Sequence, residues 1–527
     1  MVTWEGKWQK EAPFKDMPVN LYQAFLKQVE KQPESTAIVN VDGREYSYRE
    51  LHDMVDVLAS ALHQKYGITK RTHVGVLLFN SIEFVVTYLA IIKIGAVYVS
   101  LPGKNQQPEI LSLAEKADLD FVICEQRYYD WFHDHPEIKA ILCDSETDEY
   151  GYKALVEGVS GDPSLAGGEA DDPVILMFTS GTTSRSKGVR LTNFNVMRSV
   201  FAYIYTLDLD EKEVAIVTTP MYHITGLVCI IATLLTCGGS VCILRKVEPE
   251  KIIRCLNEHQ VTFFHASPTV FVMFLEEGAK EGYPPIPSLT RFACGSGNMA
   301  PENIRRLKRW IPNADFHTVF GMTETSGAGT IFPCGAADSE YIGSSGVPMP
   351  DLKVKILDDE GNEMPDGEIG EICVNASFVL DAYYKMDSKD LIIDGGWLRT
   401  GDLGYVNSAG YLYIRDRKKD MINRGGEKIV SFDVENVLQQ LPGVIEAAVV
   451  GVPDPKYMEI PVAAIRMRAG RVWDEEQMRE ILKTQLSKYK IPTRFKIMEE
   501  IPKTQSGKVD KRTIRKLFID DTQEQEQ

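Results

Sequence analysis

Along the first 143 residues the apolar positions alternate between two rhythms: short continuous runs, and runs with i, i+3, i+4 spacing. Leu21, Phe25 and Val29 space a helix over residues 20–31, and residues 36–41 read as a strand closed by the turn Asp42-Gly43. Ser47-Tyr-Arg-Glu50 is a capping box, in which Ser and Glu three apart satisfy free N–H groups of a first turn, so a helix runs from there to about Tyr66. Strands at 74–78, 96–100 and Phe121–Cys124 then enclose helices at Ile82–Ile94 and 109–117. Strands alternating with helices predict a mostly parallel sheet covered on both faces.

The rhythm resumes after a polar stretch at 144–172. Five consecutive apolar residues at 174–178 predict a strand buried on both faces. Helices at Asn193–Leu207, 227–236 and 248–258 follow, with strands at 214–218, 240–244 and Phe263–Ala266. This second β–α–β series predicts a second, similar sheet stacked on the first. From 340 to 415 the texture becomes short strands between Gly and Pro turns, the pattern of a small antiparallel barrel. Residues 415–420 are all charged, and a compact α+β unit begins beyond them. The fold class expected is α/β: a large N-terminal domain of two stacked α/β sheets plus a small β-barrel, followed by a small α+β C-terminal domain.

Composition narrows the function. The chain has 527 residues and a net charge of −17, which argues against a nucleic-acid surface or an anionic membrane as the main partner. The charge is uneven: residues 416–527 hold 21 Lys+Arg against 19 Asp+Glu, and residues 1–415 hold 37 against 56. Nine cysteines are scattered with no C-x-x-C pair, so neither a zinc site nor a disulfide framework is indicated, and free thiols in a reducing compartment are expected. No apolar signal core opens the chain, and the apolar run at 226–237 is too short to span a bilayer, so the cytoplasm is the expected location. His133 and His135 flank Asp134, but with no third ligand nearby they read as a solvated loop.

The candidate chemistry starts after the strand at 174–178. Thr179-Ser-Gly-Thr-Thr-Ser-Arg-Ser-Lys-Gly188 is dense in hydroxyls and glycine and carries Lys187. Converging backbone N–H groups, hydroxyl donors and one ammonium suit a polyphosphate. It is not a P-loop: counted from Gly181, that motif needs glycine at 186 and Ser or Thr at 188, where Ser186 and Gly188 stand. The loop resembles the signature of the adenylate-forming superfamily, which comprises acyl-CoA synthetases, peptide-synthetase adenylation domains and luciferases. Ser184 and Ser186 replace that signature's usual Gly and Pro.

The remaining signatures of that superfamily follow in order, covering residues from about 20 to 515. Each is a common turn taken alone; together they make the resemblance specific. It implies that Thr179, Ser180, Gly181, Thr182, Thr183 and Lys187 hold the ATP phosphates. Gly295-Ser296-Gly297 lets backbone approach adenine. In Phe320-Gly-Met-Thr-Glu324, Phe320 faces adenine, Thr323 the α-phosphate, and Glu324, with Thr179, Mg²⁺. Asp402 of Trp397-Leu-Arg-Thr-Gly-Asp402 accepts the ribose hydroxyls, and Arg417 reaches ribose or phosphate. In Pro502-Lys-Thr-Gln-Ser-Gly-Lys508, Lys508 bridges carboxylate and α-phosphate as charge develops. Gly425 and Gly426 line the pantetheine tunnel. His223 sits at the mouth of an acyl pocket lined by Ile224, Gly226, Leu227, Met322 and Gly327.

The resemblance also implies a mobile C-terminal domain: an N-terminal domain over 1–415 with the ATP and acyl sites, a hinge at 416–419 turning on Lys419, and a domain over 420–527 carrying Lys508. The expected function is an ATP-dependent, AMP-forming carboxylic acid–CoA ligase, passing through an acyl-AMP and pyrophosphate, with ATP, Mg²⁺ and coenzyme A required. The alternative is a stand-alone enzyme loading a carrier-protein phosphopantetheine. Apolar and small pocket residues point to a fatty or aryl acid; oligomeric state is left open.

Overall fold

The computed structural model describes residues 14–143, 151–179, 186–297, 299–468, 470–504 and 508–525. The chain forms two compact units, residues 1–354 with 374–398, and residues 355–373 with 399–527. The compact units thus meet within the region expected as a small barrel. The reason lies in pairing: Leu412–Arg417 is bonded along Trp397–Val406, from Val406↔Leu412 to Asp402↔Arg417, so the charged run at 415–420 begins inside a sheet.

The first unit holds two sheets. One has seven strands, in the order Tyr383–Tyr384, Lys187–Thr192, Pro173–Thr179, Val97–Ser100, His73–Leu77, Phe121–Cys124, Lys139–Leu142. Its members from Pro173–Thr179 onward are parallel, as the β–α–β rhythm requires. The other has nine, in the order Val347–Pro348, Gly329–Ile331, Asp315–Gly321, Arg291–Cys294, Phe263–Ala266, Val214–Val217, Ser240–Ile243, Thr36–Val39, Glu45–Ser47. Thr36–Val39 joins this second sheet beside Ser240–Ile243, with Ile38 opposite Val241. Side chains near it tie the same neighbourhood: the Tyr48 hydroxyl donates to Gly239 O at 2.7 Å, and Gln32 Nε2 to Gly238 O at 2.8 Å.

The helices follow their sequence signals closely. Ser47 and Glu50 close the capping box of Tyr48–Tyr66, and Gly67 ends it in the left-handed region at φ 72°. Every residue of Ile82–Ile94 is buried, so it is a core helix with no polar stripe. Its buried Lys93 pairs with Asp56. One helix departs from expectation. Residues 227–236, expected as an ordinary α-helix, form a π-helix at Thr225–Ala232 followed by an α-helix at Thr233–Cys237. The Thr233 hydroxyl also donates to Val228 O at 2.9 Å, which favours the wider turn. No helix among the described residues is long and apolar enough to cross a membrane.

In the second unit, Met458–Met467 and Val444–Asp454 form a long antiparallel pair, flanked by Ile422–Arg424, Glu427–Ile429 and a parallel strand at Arg494–Ile497. Alternation along the pair sends Val449 and Ile465 into one cluster with Val434, Leu438 and Leu482, and Val450 and Ala464 into another with Ile514 and Phe518. The sheet is thus covered on both faces.

Candidate active site

Four parallel strands of the nine-stranded sheet end side by side. In register, Ile216 pairs Phe264, Phe264 pairs Phe292, and Phe292 pairs Phe316. Their carboxyl ends lead into His223, Ser267, Gly295 and Met322, and this edge of an open α/β sheet is where ligands bind. The segment before His223 is pinned from the other sheet. Asn80 Oδ1 accepts from Met221 N at 2.8 Å while its Nδ2 donates to Thr219 O at 3.0 Å, and Ser100 Oγ donates to Tyr222 O at 2.6 Å. His223 is half-buried, with its ring centroid 4.6 Å from that of Tyr222.

Glycine is sterically required at Gly226 and Gly327. A Cβ on Gly226 would stand 2.9 Å from both Met221 Cα and Pro220 O, so this residue packs against backbone. Gly327, at φ 89°, would meet Cys229 Sγ at 2.4 Å and Ile224 Cγ1 at 3.5 Å. The segment Ile224–Cys229 therefore faces Gly327, while Leu227 is fully buried. Gly295 follows the strand end with its N–H on Ala266 O at 3.2 Å, Ser296 takes φ 68°, and Gly297 is exposed.

The run expected to hold phosphate lies between two paired strands. Pro173–Thr179 pairs antiparallel with Lys187–Thr192, and Thr179 stands opposite Lys187. Lys187 is thus the first residue of a strand, not part of a free loop. Ser180, Gly181, Thr182 and Thr183 lie outside the described residues. The Lys187 ammonium sits 5.4 Å from the ring centroid of Tyr383, whose hydroxyl donates to Glu324 Oε1 at 3.1 Å. Burial, then the Glu324 carboxylate, pushes the Tyr383 phenol up, so it stays a donor. Glu324 is 6% exposed, in the short turn Thr323–Thr325, and its backbone O accepts from Leu380 N at 2.9 Å. Phe320, Met322 and Thr323 are half-buried around it. One buried carboxylate, held at one oxygen by a phenol, suits Mg²⁺, which takes few protein ligands and fills its shell with water and phosphate oxygens. Among the described residues no group of three or more His, Cys, Asp and Glu gathers as a metal cluster.

In the second unit, Asp402 and Arg417 are cross-strand partners, with Arg417 Nε 3.1 Å from Asp402 Oδ1. Thr400 Oγ1 accepts from Asp402 N at 3.1 Å and donates to Ile372 O at 2.8 Å, and Gly401 takes φ 72°, which sets the turn. Burial raises the Asp402 carboxyl, opposed first by Arg417 and then by Lys508, so the charge of Lys508 reaches this carboxylate. Lys508 N donates to Thr504 Oγ1 at 3.2 Å. Lys419 is exposed in a turn where Asp420 N bonds Arg417 O at 2.8 Å. Asp416, just before, accepts from Ser431 N at 2.6 Å and Ser431 Oγ at 2.8 Å. Gly425 and Gly426 take φ 62° and 97° as the two-residue turn between Ile422–Arg424 and Glu427–Ile429, where both central residues need positive φ.

The chain that carries Lys187, Glu324 and Asp402 in this arrangement also matches two family models. Residues 25–384 match the model of the AMP-binding enzyme, and residues 433–508 that of the AMP-binding enzyme C-terminal domain. The chain belongs to the AMP-binding enzyme family. An indoleacetate–CoA ligase of Aromatoleum aromaticum is 29% identical over 498 residues, 92% of this chain and 96% of the relative. A feruloyl-CoA synthase of an Amycolatopsis species is 31% identical over 500 residues, covering 94% and 98%. Among solved structures, ATP-bound MatB from Rhodopseudomonas palustris is 26% identical with a TM-score of 0.86, covering 95% of this chain and 98% of that one. The o-succinylbenzoate CoA synthetase of Bacillus subtilis with ATP and magnesium is 26% identical with a TM-score of 0.82, covering 93% and 98%.

Three residues of this AMP-binding enzyme that bond beside the expected site residues lie in no signature. Tyr383 sits in no signature and meets Glu324 only through folding. Asn80 and Ser100 each close an apolar run with a buried polar side chain, a signal that a strand end is bonded to something.

Proposed function

We propose that this AMP-forming acid–CoA ligase of the AMP-binding family runs two half-reactions on a fatty or aryl acid, ATP and coenzyme A. The observation that carries the reading is the Lys187–Tyr383–Glu324 line beside the phosphate hairpin. In the first half-reaction the substrate carboxylate attacks the α-phosphate, the bond to the β-phosphate breaks, and pyrophosphate leaves. Thr179, Ser180, Gly181, Thr182, Thr183 and Lys187 hold the phosphates; Thr323 donates to the α-phosphate. Glu324 and Thr179 would hold Mg²⁺, which neutralises charge on the phosphate oxygens when bound. Phe320, Gly295, Ser296 and Gly297 receive adenine, and Asp402 and Arg417 the ribose. Lys508 steadies the negative charge of the transferring centre.

In the second half-reaction the coenzyme A thiol attacks the acyl carbonyl and AMP leaves. A dihedral change at Lys419, in a hinge over 416–419, withdraws Lys508 between the two steps. It divides the chain into a functional 1–415 domain and a moving 420–527 domain, with Gly425 and Gly426 along the thiol path. His223 borders the reacting carboxylate. The buried free cysteines support a reducing location, which we infer to be the cytoplasm.

Carboxylate-dependent ATP–pyrophosphate exchange over a panel of fatty, aryl and amino acids, followed by AMP release with coenzyme A, tests this. Exchange with coenzyme A-dependent AMP release is expected. Exchange indifferent to coenzyme A would favour loading of a carrier protein.

A further inference from the structure

Three segments of the second unit meet at the ammonium of Lys511. It is the first residue of the helix Lys511–Gln525, three positions after Lys508. Its Nζ lies 3.1 Å from Glu435 Oε1 and 4.0 Å from Asp416 Oδ1, and it donates to Ser431 Oγ. Ser431 and Glu435 belong to the helix Ser431–Gln439, and Asp416 to the strand Leu412–Arg417. Asp416 is buried and satisfied at both oxygens. Its Oδ2 accepts from Ser431 N at 2.6 Å and Ser431 Oγ at 2.8 Å, and its Oδ1 from Arg417 N at 2.8 Å. Burial works against the Lys511 ammonium, but Glu435, then Asp416 and Asp420, raise its pKa overall, so it stays charged.

These partners fall on opposite sides of the hinge proposed at 416–419. Asp416 is held in the strand that pairs with Asp402, while Ser431, Glu435 and Lys511 all lie beyond Lys419. A turn about Lys419 carries Ser431 and Lys511 away and leaves a buried carboxylate short of its donors, which is costly. Arg415 adds a more exposed link of the same kind, its Nη1 donating to Asp433 Oδ1 at 3.0 Å. Lys508 moves with Lys511, because the run before the helix is closed at its base. Lys503 bridges Val509, Thr504 N donates to Lys508 O at 2.7 Å, and Asp510 N to Pro502 O at 2.8 Å. With these links made, the charge of Lys508 reaches Asp402, the arrangement that adenylation requires.

We propose that Lys511 is a positioning residue: together with Ser431 it clasps Asp416 and holds Lys508 in its adenylating place, and release of this clasp accompanies the second half-reaction. This rests on the two-step ligase reading and on the hinge at Lys419.

The test measures ATP–pyrophosphate exchange and thioester formation from supplied acyl-AMP separately, using the acid that the wild type activates best. The proteins are the wild type, Lys511→Met, Lys511→Arg and Ser431→Ala. Loss of a charged link shifts the balance between two arrangements, so exchange by Lys511→Met should fall about tenfold. Thioester formation should hold at the wild-type rate or rise, which also shows that the variant is folded. Ser431→Ala should act in the same direction, and Lys511→Arg, which keeps the charge, should retain most of the exchange. Equal loss of both half-reactions in Lys511→Met and Ser431→Ala would show a merely structural role and overturn the proposal. So would unchanged exchange in both, and if Lys511→Met does not fold, Ser431→Ala decides alone. If the wild type supports exchange with no acid, the ligase reading itself falls and takes this inference with it.

Discussion

Arg417 and Asp402 face each other across an antiparallel strand pair, with Nε 3.1 Å from Oδ1, yet the carboxyl is raised above its ordinary range. An ion pair by itself would lower it. Burial outweighs the guanidinium because Asp402 is almost fully enclosed while Arg417 is 42% exposed. A carboxyl raised by folding binds its proton more tightly in the folded state, so its ionisation at neutral pH works against the fold. Asp402→Asn is therefore expected to be at least as heat-stable as the wild type at pH 7, with the gain vanishing below about pH 4, where the unfolded carboxyl is protonated too. The same variant should raise the KM for ATP about tenfold or more through loss of a charged acceptor. Melting curves at pH 4 and 7, beside ATP kinetics, check both; a large destabilisation at pH 7 would contradict the sign.

Tyr383→Phe removes one hydroxyl from Glu324 Oε1 and keeps the ring beneath Lys187. A hydrogen bond to a charged group is worth about 1.5–3 kcal/mol. The exchange rate should fall roughly 10- to 100-fold, with a higher Mg²⁺ requirement and little change in melting temperature. An unchanged Mg²⁺ dependence would remove Glu324 from the metal site.

Lys508→Ala should abolish adenylation while thioester formation from supplied acyl-AMP survives. Equal loss of both half-reactions would contradict its role.

Lys419→Pro restricts φ at the turn without removing a backbone bond drawn from Lys419 N among those described. Exchange should persist and coenzyme A-dependent turnover should fall at least about tenfold, because only the second half-reaction requires the hinge to move. Normal overall turnover would place the hinge elsewhere.

Gly226→Ala drives a Cβ to within 2.9 Å of Met221 Cα and Pro220 O, where no flexible side chain can yield. A destabilisation of about 1–3 kcal/mol is expected, together with reduced kcat/KM as the 220–223 segment carrying His223 shifts. A variant with wild-type stability and kinetics would show that the π-helix start is not tightly seated.

Local pattern was enough for the helices at Ile82–Ile94 and Asn193–Leu207, for the Ser47 capping box, and for the strand preceding the phosphate loop. Apolar spacing and end-caps are properties of a dozen neighbouring residues, so they survive reading one stretch at a time. The family was legible for a similar reason, since the signatures around Lys187, Glu324, Asp402 and Lys508 are each a short local run. Pairing between distant segments was not legible. Thr36–Val39 looks like the opening strand of the first sheet, but its partner is Ser240–Ile243, some two hundred residues on. Tyr383 is an ordinary aromatic until folding sets it between Lys187 and Glu324. Sequence alone determined which elements form and which chemical groups the chain carries. Only the tertiary structure decided which of those groups meet, because strand order and buried polar contacts depend on long-range packing that no local rhythm records.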